Sequence, residues 1–99
     1  MGRLILEKDI EAKFKARVEK AGAITYKFAS PGRAGVPDRI VLIPGGRIYF
    51  VELKRPGGKP RPLQRHVMKK IIKFGFNVRV IDSEEAINEF VSEIIGGTE

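Results

Sequence analysis

The amino-acid sequence predicts an α/β fold: a small mixed β-sheet with helices packed against it. Two observations support this class. Segments with the 3.6-residue apolar periodicity of helices alternate with short apolar segments of strand length, and Gly- and Pro-rich stretches separate them. The chain has 99 residues, of which 42% are hydrophobic, which is typical of one globular domain. We therefore expect residues 1–99 to form a single domain with the element order αβββαβα.

The first third of the chain predicts a helix, a strand and a loop. The helix spans about residues 4–21 and ends at Gly22, which is a typical stop signal. A short strand is expected over residues 24–28, and the composition of residues 30–37 is that of a loop. The apolar side of the helix consists of Ile10, Phe14, Val18 and Ala21.

A β-hairpin is predicted in the middle of the chain. Strands over residues 40–43 and 48–53 flank Pro44-Gly45-Gly46-Arg47, a sequence typical of a tight turn. Both strands are apolar at nearly every position, so we expect both faces of the sheet to be covered.

The last part of the chain predicts a helix, a strand and a further helix. A second Gly- and Pro-rich loop over residues 55–62 leads into a helix that reaches about Phe74, and a strand follows over residues 77–81. The final helix starts near Asp82 or Ser83, with Glu84 and Glu85 in its first turn, where the helix dipole favours acids. Its apolar face consists of Ile87, Phe90, Val91, Ile94 and Ile95, and Gly96-Gly97 ends it.

Composition excludes several classes of protein. The chain has no cysteine, which excludes disulfides, thiolate metal sites and cysteine nucleophiles, and its one histidine, His66, is too little for a His-rich metal site. No apolar run approaches the roughly 20 residues that span a bilayer, and residues 1–6 are too short for a signal peptide. We expect a cytoplasmic protein, neither secreted nor bound to a membrane.

The charge distribution points to a polyanionic partner. The formal net charge is +7, and residues 54–79 carry nine Lys and Arg residues but no acid, whereas residues 80–99 carry six acids and no Lys or Arg. Clustered basic side chains release counterions from a phosphate backbone, which favours nucleic acid binding. A solvated surface that only aids solubility is the alternative.

Three charged residues predict a metal site at one end of the hairpin. Glu52 and Lys54 close an apolar strand, and residues two apart in a strand point to the same face. With a three-residue connection, opposed residues have numbers that sum to 90, so Asp38 faces Glu52 at about 5 Å between Cβ atoms. A two-residue connection would shift the pairing by one residue, and a β-bulge would have to restore it. Two carboxylates this close repel unless a cation lies between them, and carboxylate oxygens suit Mg²⁺ or Mn²⁺. The alternative is that Asp38, after Pro37, is only a turn residue.

Three further polar residues on helices could belong to this site. Gln64 lies in the middle of the apolar stripe of its helix, where an amide needs hydrogen-bonding partners, although an exposed first turn would explain it too. In the first helix, Glu7 or Glu11 could reach inward, and a solvated helix flank is the alternative for both. His66 is expected at the surface or against a phosphate rather than as a general base.

The sequence resembles a known nuclease family. The residues that carry the resemblance are Gly35-Val36-Pro37-Asp38-Arg39, Glu52-Leu53-Lys54 and Gln64 after a basic Gly- and Pro-rich loop. Together they resemble the PD-(D/E)xK nuclease superfamily, with its αβββαβ core as in restriction endonucleases, and within it the stand-alone VRR-NUC domains of phages and bacteria.

The resemblance implies a role for each of these residues. Asp38 and Glu52 would bind the metal together with the Leu53 carbonyl, Lys54 would orient or activate the attacking water, and Gln64 would support the site. Glu11 matches the acid of the family's first helix better than Glu7 does. Stand-alone members are similar to Holliday-junction resolvases, so the resemblance also implies a homodimer.

Basic residues flank the predicted site on two loops, which predicts how DNA is held. They are Arg33 and Arg39 on the first loop, and Arg55, Lys59, Arg61 and Arg65 on and after the second. Such contacts position a phosphate backbone without reading bases, so we expect selection by DNA shape, for example a Holliday junction or another branch. The expected function is a Mg²⁺- or Mn²⁺-dependent DNA endonuclease. The alternatives are a non-catalytic nucleic-acid-binding module and an inactive accessory subunit with the same fold.

Overall fold

A computed structural model describes residues 4–96 and confirms the predicted α/β class and element order. It consists of three helices and one four-stranded sheet. The elements are α1 (Glu7–Lys20), β1 (Ile24–Lys27), β2 (Arg39–Ile43), β3 (Arg47–Leu53), α2 (Pro62–Lys73), β4 (Asn77–Ile81) and α3 (Glu84–Gly96). Every predicted strand lies within one residue of its observed bounds.

The sheet is mixed and has the strand order β1-β2-β3-β4. The first three strands pair antiparallel, whereas β3 and β4 are parallel and are joined through α2, because a parallel connection needs a crossover. Ile43 and Arg47 face each other at the end of the β2–β3 ladder, and the turn between them contains three residues. Both turn glycines, Gly45 and Gly46, have positive φ (97° and 87°), a conformation that other residues rarely adopt. The register therefore follows the sum of 90 that a three-residue connection predicts.

The hydrophobic core lies between one face of the sheet and the helices α1 and α3. The predicted apolar sides of both helices supply Phe14 and Phe90, whose ring centroids are 5.5 Å apart. Tyr49 of β3 meets the Phe90 ring edge-on at 5.3 Å, a favourable aromatic geometry. Alternate residues of β2 and β3 complete the core: Val41, Ile43, Tyr49, Val51 and Leu53.

The opposite face of the sheet is only partly covered, so the expectation that both faces are covered was wrong. The short helix α2 is the one described helix on this side, and it lies against β4 rather than across all four strands. On β1 and β2, Ile24, Tyr26 and Leu42 stay exposed, with 56% of Tyr26 accessible to solvent. A groove remains between the sheet and α2, and its walls include Phe28, Phe50 and Phe76.

The ends of the helices follow local hydrogen bonds. Helix α1 begins at Glu7 rather than at residue 4, because the Asp9 carboxylate accepts a hydrogen bond from the Leu6 backbone N–H (2.8 Å) and closes the first turn there. Helix α3 begins after Ser83, as predicted, since the Ser83 hydroxyl accepts a hydrogen bond from the Ala86 N–H (3.0 Å). Gly97, the predicted end signal of α3, lies outside the described residues. None of the helices within residues 4–96 combines the length and apolar character that crossing a bilayer requires.

Candidate active site

Asp38 and Glu52 meet where β2 begins and β3 ends. The Asp38 backbone N–H donates a hydrogen bond to Glu52 Oε1 (3.2 Å), and the Leu53 backbone N–H donates to Asp38 Oδ1 (3.2 Å). Each carboxylate is therefore held by the backbone of the opposite strand. The hairpin register places these two acids face to face, because Arg39 and Val51 are opposed one step further along the ladder.

The Glu52 carboxylate is buried, with 2% of the residue exposed, and both of its oxygens have partners. Oε1 accepts the bond from Asp38, while Oε2 accepts a hydrogen bond from Gln64 Nε2 (2.9 Å) and lies 3.0 Å from the Lys54 ammonium. A buried charge is tolerated only when it is paired and hydrogen-bonded. Lys54 is itself mostly buried, so the strand end carries a compact ion pair.

Asp38 carries the strongest electrostatic perturbation of the site. Burial and, second to it, the Glu52 charge raise the pKa of its carboxyl from 3.8 to about 7, against the lowering effect of the Leu53 hydrogen bond. The Glu7 charge adds to the increase in this pKa and the Lys54 charge opposes it. The negative charges of Asp38 and Glu52 are therefore not fully balanced within the site, and a bound cation would balance them.

The donor set fits a divalent cation that keeps part of its water shell. Within residues 4–96 no group of three or more His, Cys, Asp or Glu side chains is placed to enclose a metal. Mg²⁺ is usually bound by one or two carboxylates together with water and substrate phosphates. Asp38 and Glu52 form such a pair, and the adjacent Leu53 backbone is already in contact with Asp38.

Gln64 connects this carboxylate pair to the basic loop before α2. Its amide NH₂ donates to Glu52, and its amide oxygen accepts a hydrogen bond from the Arg61 backbone N–H (2.8 Å). The amide therefore satisfies partners on two elements, which explains a polar residue beside the apolar stripe of α2.

The loop that carries Asp38 is held against α2 by a close backbone approach at Gly35. This residue has φ +89°, and a Cβ at its position would lie 2.9 Å from Leu63 Cγ and 3.1 Å from the Leu63 carbonyl oxygen. A larger residue would push the loop off the helix. The glycine of the predicted motif thus has a packing function.

Two predicted site residues, Arg39 and Glu11, form an ion pair with each other. Arg39, expected to contact phosphate, is 4% exposed, and its guanidinium donates to Thr25 Oγ1 (3.1 Å) and Glu11 Oε2 (2.7 Å). Glu11 is therefore engaged by Arg39, and the acid of α1 whose charge acts on Asp38 is Glu7. Strand alternation carried a signal for this, because Arg39 has the same parity as the buried Val41.

The other predicted DNA-contacting residues are exposed. Arg33 lies in the loop between β1 and β2, and a second basic group lies in the loop before α2 and in its first turn. This second group consists of Arg55, Lys59, Arg61 and Arg65. His66 is exposed as well and borders the groove beside α2, as its predicted surface position requires.

Comparison with known proteins gives consistent matches over most of the chain. The family model of the VRR-NUC domain matches residues 6–85. A protein of Acyrthosiphon pisum secondary endosymbiont phage 1, named "Putative nuclease p44", is 49% identical over 83 residues, which cover 84% of this chain and 89% of that protein. A solved structure of a VRR_NUC domain is similar with a TM-score of 0.81 and 33% identity, covering 87% of this chain and 94% of the other.

Proposed function

Because the chain belongs to the VRR-NUC domain family, we propose that it is a nuclease, and more narrowly a metal-dependent endonuclease that hydrolyses phosphodiester bonds in DNA. The observation that carries this proposal is the opposed Asp38–Glu52 pair with the Lys54 ammonium beside it. A binding module for phosphate would have no use for two carboxylates in the middle of its basic surface. The name of the phage relative also supports a nuclease. We propose that residues 1–99 act as one nuclease domain in the cytoplasm of a bacterium or of a phage-infected cell.

The carboxylates of Asp38 and Glu52, with the Leu53 carbonyl, would hold Mg²⁺ or Mn²⁺. When bound, such a cation supplies a water of lowered pKa and positive charge against the scissile phosphate. The raised pKa of Asp38 supports this assignment, since a group that resists ionisation alone gains most from a cation. Glu7 is the better candidate than Glu11 for an acid of α1 that acts through water, because Arg39 engages Glu11.

Lys54 would act on the reacting groups, and Gln64 would hold the Glu52 carboxylate in position. The Lys54 ammonium, 3.0 Å from Glu52, would orient the attacking water and stabilise the negative charge that develops on the phosphate. Gln64 is a positioning residue that holds the Glu52 carboxylate at 2.9 Å. Together they would keep the carboxylate pair in one orientation while the backbone is cut.

The exposed basic loops support a substrate recognised by shape. Arg33 on one side and the group from Arg55 to Arg65 on the other would contact phosphates without reading bases. We propose selectivity for Holliday junctions or other branched DNA on this basis. A homodimer would suit paired cuts on such a substrate, and the exposed apolar residues Ile24, Tyr26 and Leu42 support it, since exposed apolar patches mark interaction surfaces.

The test is cleavage of end-labelled four-way junction, flap and linear duplex DNA with Mg²⁺, Mn²⁺ or EDTA. Wild type is compared with Asp38→Ala and Lys54→Ala, and Lys69→Ala, an exposed lysine of α2, is the matched control. We expect metal-dependent cleavage of branched DNA that both site variants abolish while binding is retained. Salt-sensitive binding with no cleavage under either metal would refute the nuclease and leave a DNA-binding module. Equal cleavage of linear duplex would refute only the structure selectivity.

A further inference from the structure

A second basic surface lies away from the two exposed basic loops, in a groove between α1 and the edge strand β1. The groove encloses about 480 Å³. Its walls are formed by three residues of β1, by four residues of α1 that share one flank of the helix, and by Arg39 of β2. Four basic side chains line it against one carboxylate: Lys8, Lys15, Lys27 and Arg39 against Glu11.

The three lysines of this groove are available to a ligand. Lys8 and Lys15 are exposed and have no ion-pair partner in the part of the chain that the structure describes. The Lys27 side chain is 78% exposed, and its ammonium lies 4.0 Å from Glu11, whose oxygen already accepts from Arg39 at 2.7 Å. An exposed pair at the limit of ionic contact contributes little, so Lys27 is effectively uncompensated.

The other flank of α1 differs, although it is also basic. There Lys13 and Arg17 bind the Glu84 carboxylate of α3 at 2.9 and 2.8 Å. These cations join two helices of the fold. On α1, the engaged cations Lys13 and Arg17 therefore lie on one flank, whereas the free cations Lys8 and Lys15 lie on the flank that lines the groove.

One end of the groove lies near the end of the sheet that carries Asp38 and Glu52. Lys27 precedes Phe28, whose backbone N–H donates a hydrogen bond to the Asp38 carbonyl oxygen (2.8 Å). Lys8 follows Glu7, whose charge acts on the Asp38 carboxyl. From Lys8 to Lys15 the helix rises by about 10 Å, a length along which one strand of a duplex presents about three phosphates.

We propose that this α1–β1 groove binds the phosphate backbone of the DNA substrate, on the side of the carboxylates away from α2 and its basic loop. The scissile phosphate then lies between two basic surfaces, one on each side of the sheet, and the groove holds the arm that leaves past β1. The three lysines position the substrate and do not touch the reacting phosphate. This inference rests on the proposed nuclease function.

The test compares two triple variants that remove the same charge from the same region of the fold. The groove variant is Lys8→Gln, Lys15→Gln and Lys27→Gln. The control variant, on the opposite flank of α1, is Lys13→Gln, Arg17→Gln and Lys20→Gln. Thermal unfolding of both verifies the fold, and affinity for a four-way junction is measured between 50 and 300 mM salt in EDTA, so that no cutting occurs.

Affinity falls as salt rises, and each lost phosphate contact makes the slope of log affinity against log salt less steep by about 0.9. We therefore expect the groove variant to make this slope less steep by about 2 to 3, and the control variant to change it by less than about 1. An unchanged slope in the groove variant would overturn the proposal. Cleavage in Mg²⁺ separates the two claims. If wild type cuts DNA and the groove variant has the same salt slope as wild type, only the groove proposal is refuted. If the groove variant loses phosphate contacts but wild type does not cut DNA, only the nuclease proposal is refuted. If wild type neither binds DNA in EDTA nor cuts it in Mg²⁺, both are refuted.

Discussion

Replacement of Asp38 by Asn should stabilise the metal-free protein at neutral and alkaline pH. The Asp38 carboxyl has its pKa raised from 3.8 to about 7 by burial and by the Glu52 charge. A folded state that binds the proton more tightly than the unfolded state loses stability as pH rises from about 4 to about 7, and the full penalty applies above 7. An Asn side chain carries no charge, and its oxygen can still accept the Leu53 N–H bond.

The magnitude follows from the size of the pKa change. A difference of about three pKa units corresponds to about 4 kcal/mol, and we reduce this to about 2 kcal/mol because the carboxyl is only partly buried and solvent screens its charge. For a domain of this size, about 2 kcal/mol raises the melting temperature by roughly 10 °C. The gain should be present at pH 8 and nearly absent at pH 4, where the carboxyl is protonated in the folded state and about half protonated in the unfolded state.

The assay is thermal unfolding followed by circular dichroism from pH 4 to pH 8 in EDTA. Wild type is compared with Asp38→Asn and with Glu19→Gln, which neutralises an exposed carboxylate of α1. A difference between Asp38→Asn and wild type that does not grow with pH would refute the electrostatic account. Added Mg²⁺ should narrow the difference, because a cation bound to wild type offsets the same repulsion.

Three further predictions concern the site and its supports. Mg²⁺ affinity of wild type should fall about tenfold from pH 8 to pH 6, as protons compete for Asp38; calorimetric titration with a pH-independent affinity would contradict this. Gly35→Ala should cost about 1–2 kcal/mol in urea unfolding through its positive φ alone, whereas Gly32→Ala, with open space around it, serves as the control and should not. Arg39→Gln should cost about 2–3 kcal/mol and leave the salt dependence of DNA binding unchanged. Arg61→Gln should leave the stability unchanged and reduce the steepness of the salt dependence of DNA binding by about 1. If Arg39→Gln also makes this dependence less steep, Arg39 contacts a phosphate after all.

The opposition of Asp38 and Glu52 could be predicted from the sequence because a hairpin has few degrees of freedom. Once Pro44, Gly45 and Gly46 are recognised as a three-residue connection, the antiparallel ladder determines which residues face each other, and both acids follow at its far end. The same reasoning places Lys54 beside Glu52. Local rules of this kind transfer from sequence to structure without knowledge of the rest of the fold.

The distribution of partners among charged side chains could not be predicted in the same way. Glu11 and Arg39 come from elements far apart in sequence, and their 2.7 Å contact depends on how α1 packs over β1 and β2. Strand parity could have indicated that Arg39 points inward, but the identity of its partner depends on tertiary packing. The exposed sheet face was also missed, because apolar strand residues look alike whether a helix covers them or not.

The sequence distances between contacting groups have a consequence for the order in which the molecule assembles. The Asp38–Glu52 contact closes only 14 residues of chain, whereas the Lys13–Glu84 contact between α1 and α3 closes 71. Short loops close at a lower entropy cost, so the hairpin brings the two carboxylates together before the terminal helices dock. Repulsion between these acids therefore opposes an early step of folding, and a cation or a low pH that relieves it should accelerate folding as well as stabilise the finished fold.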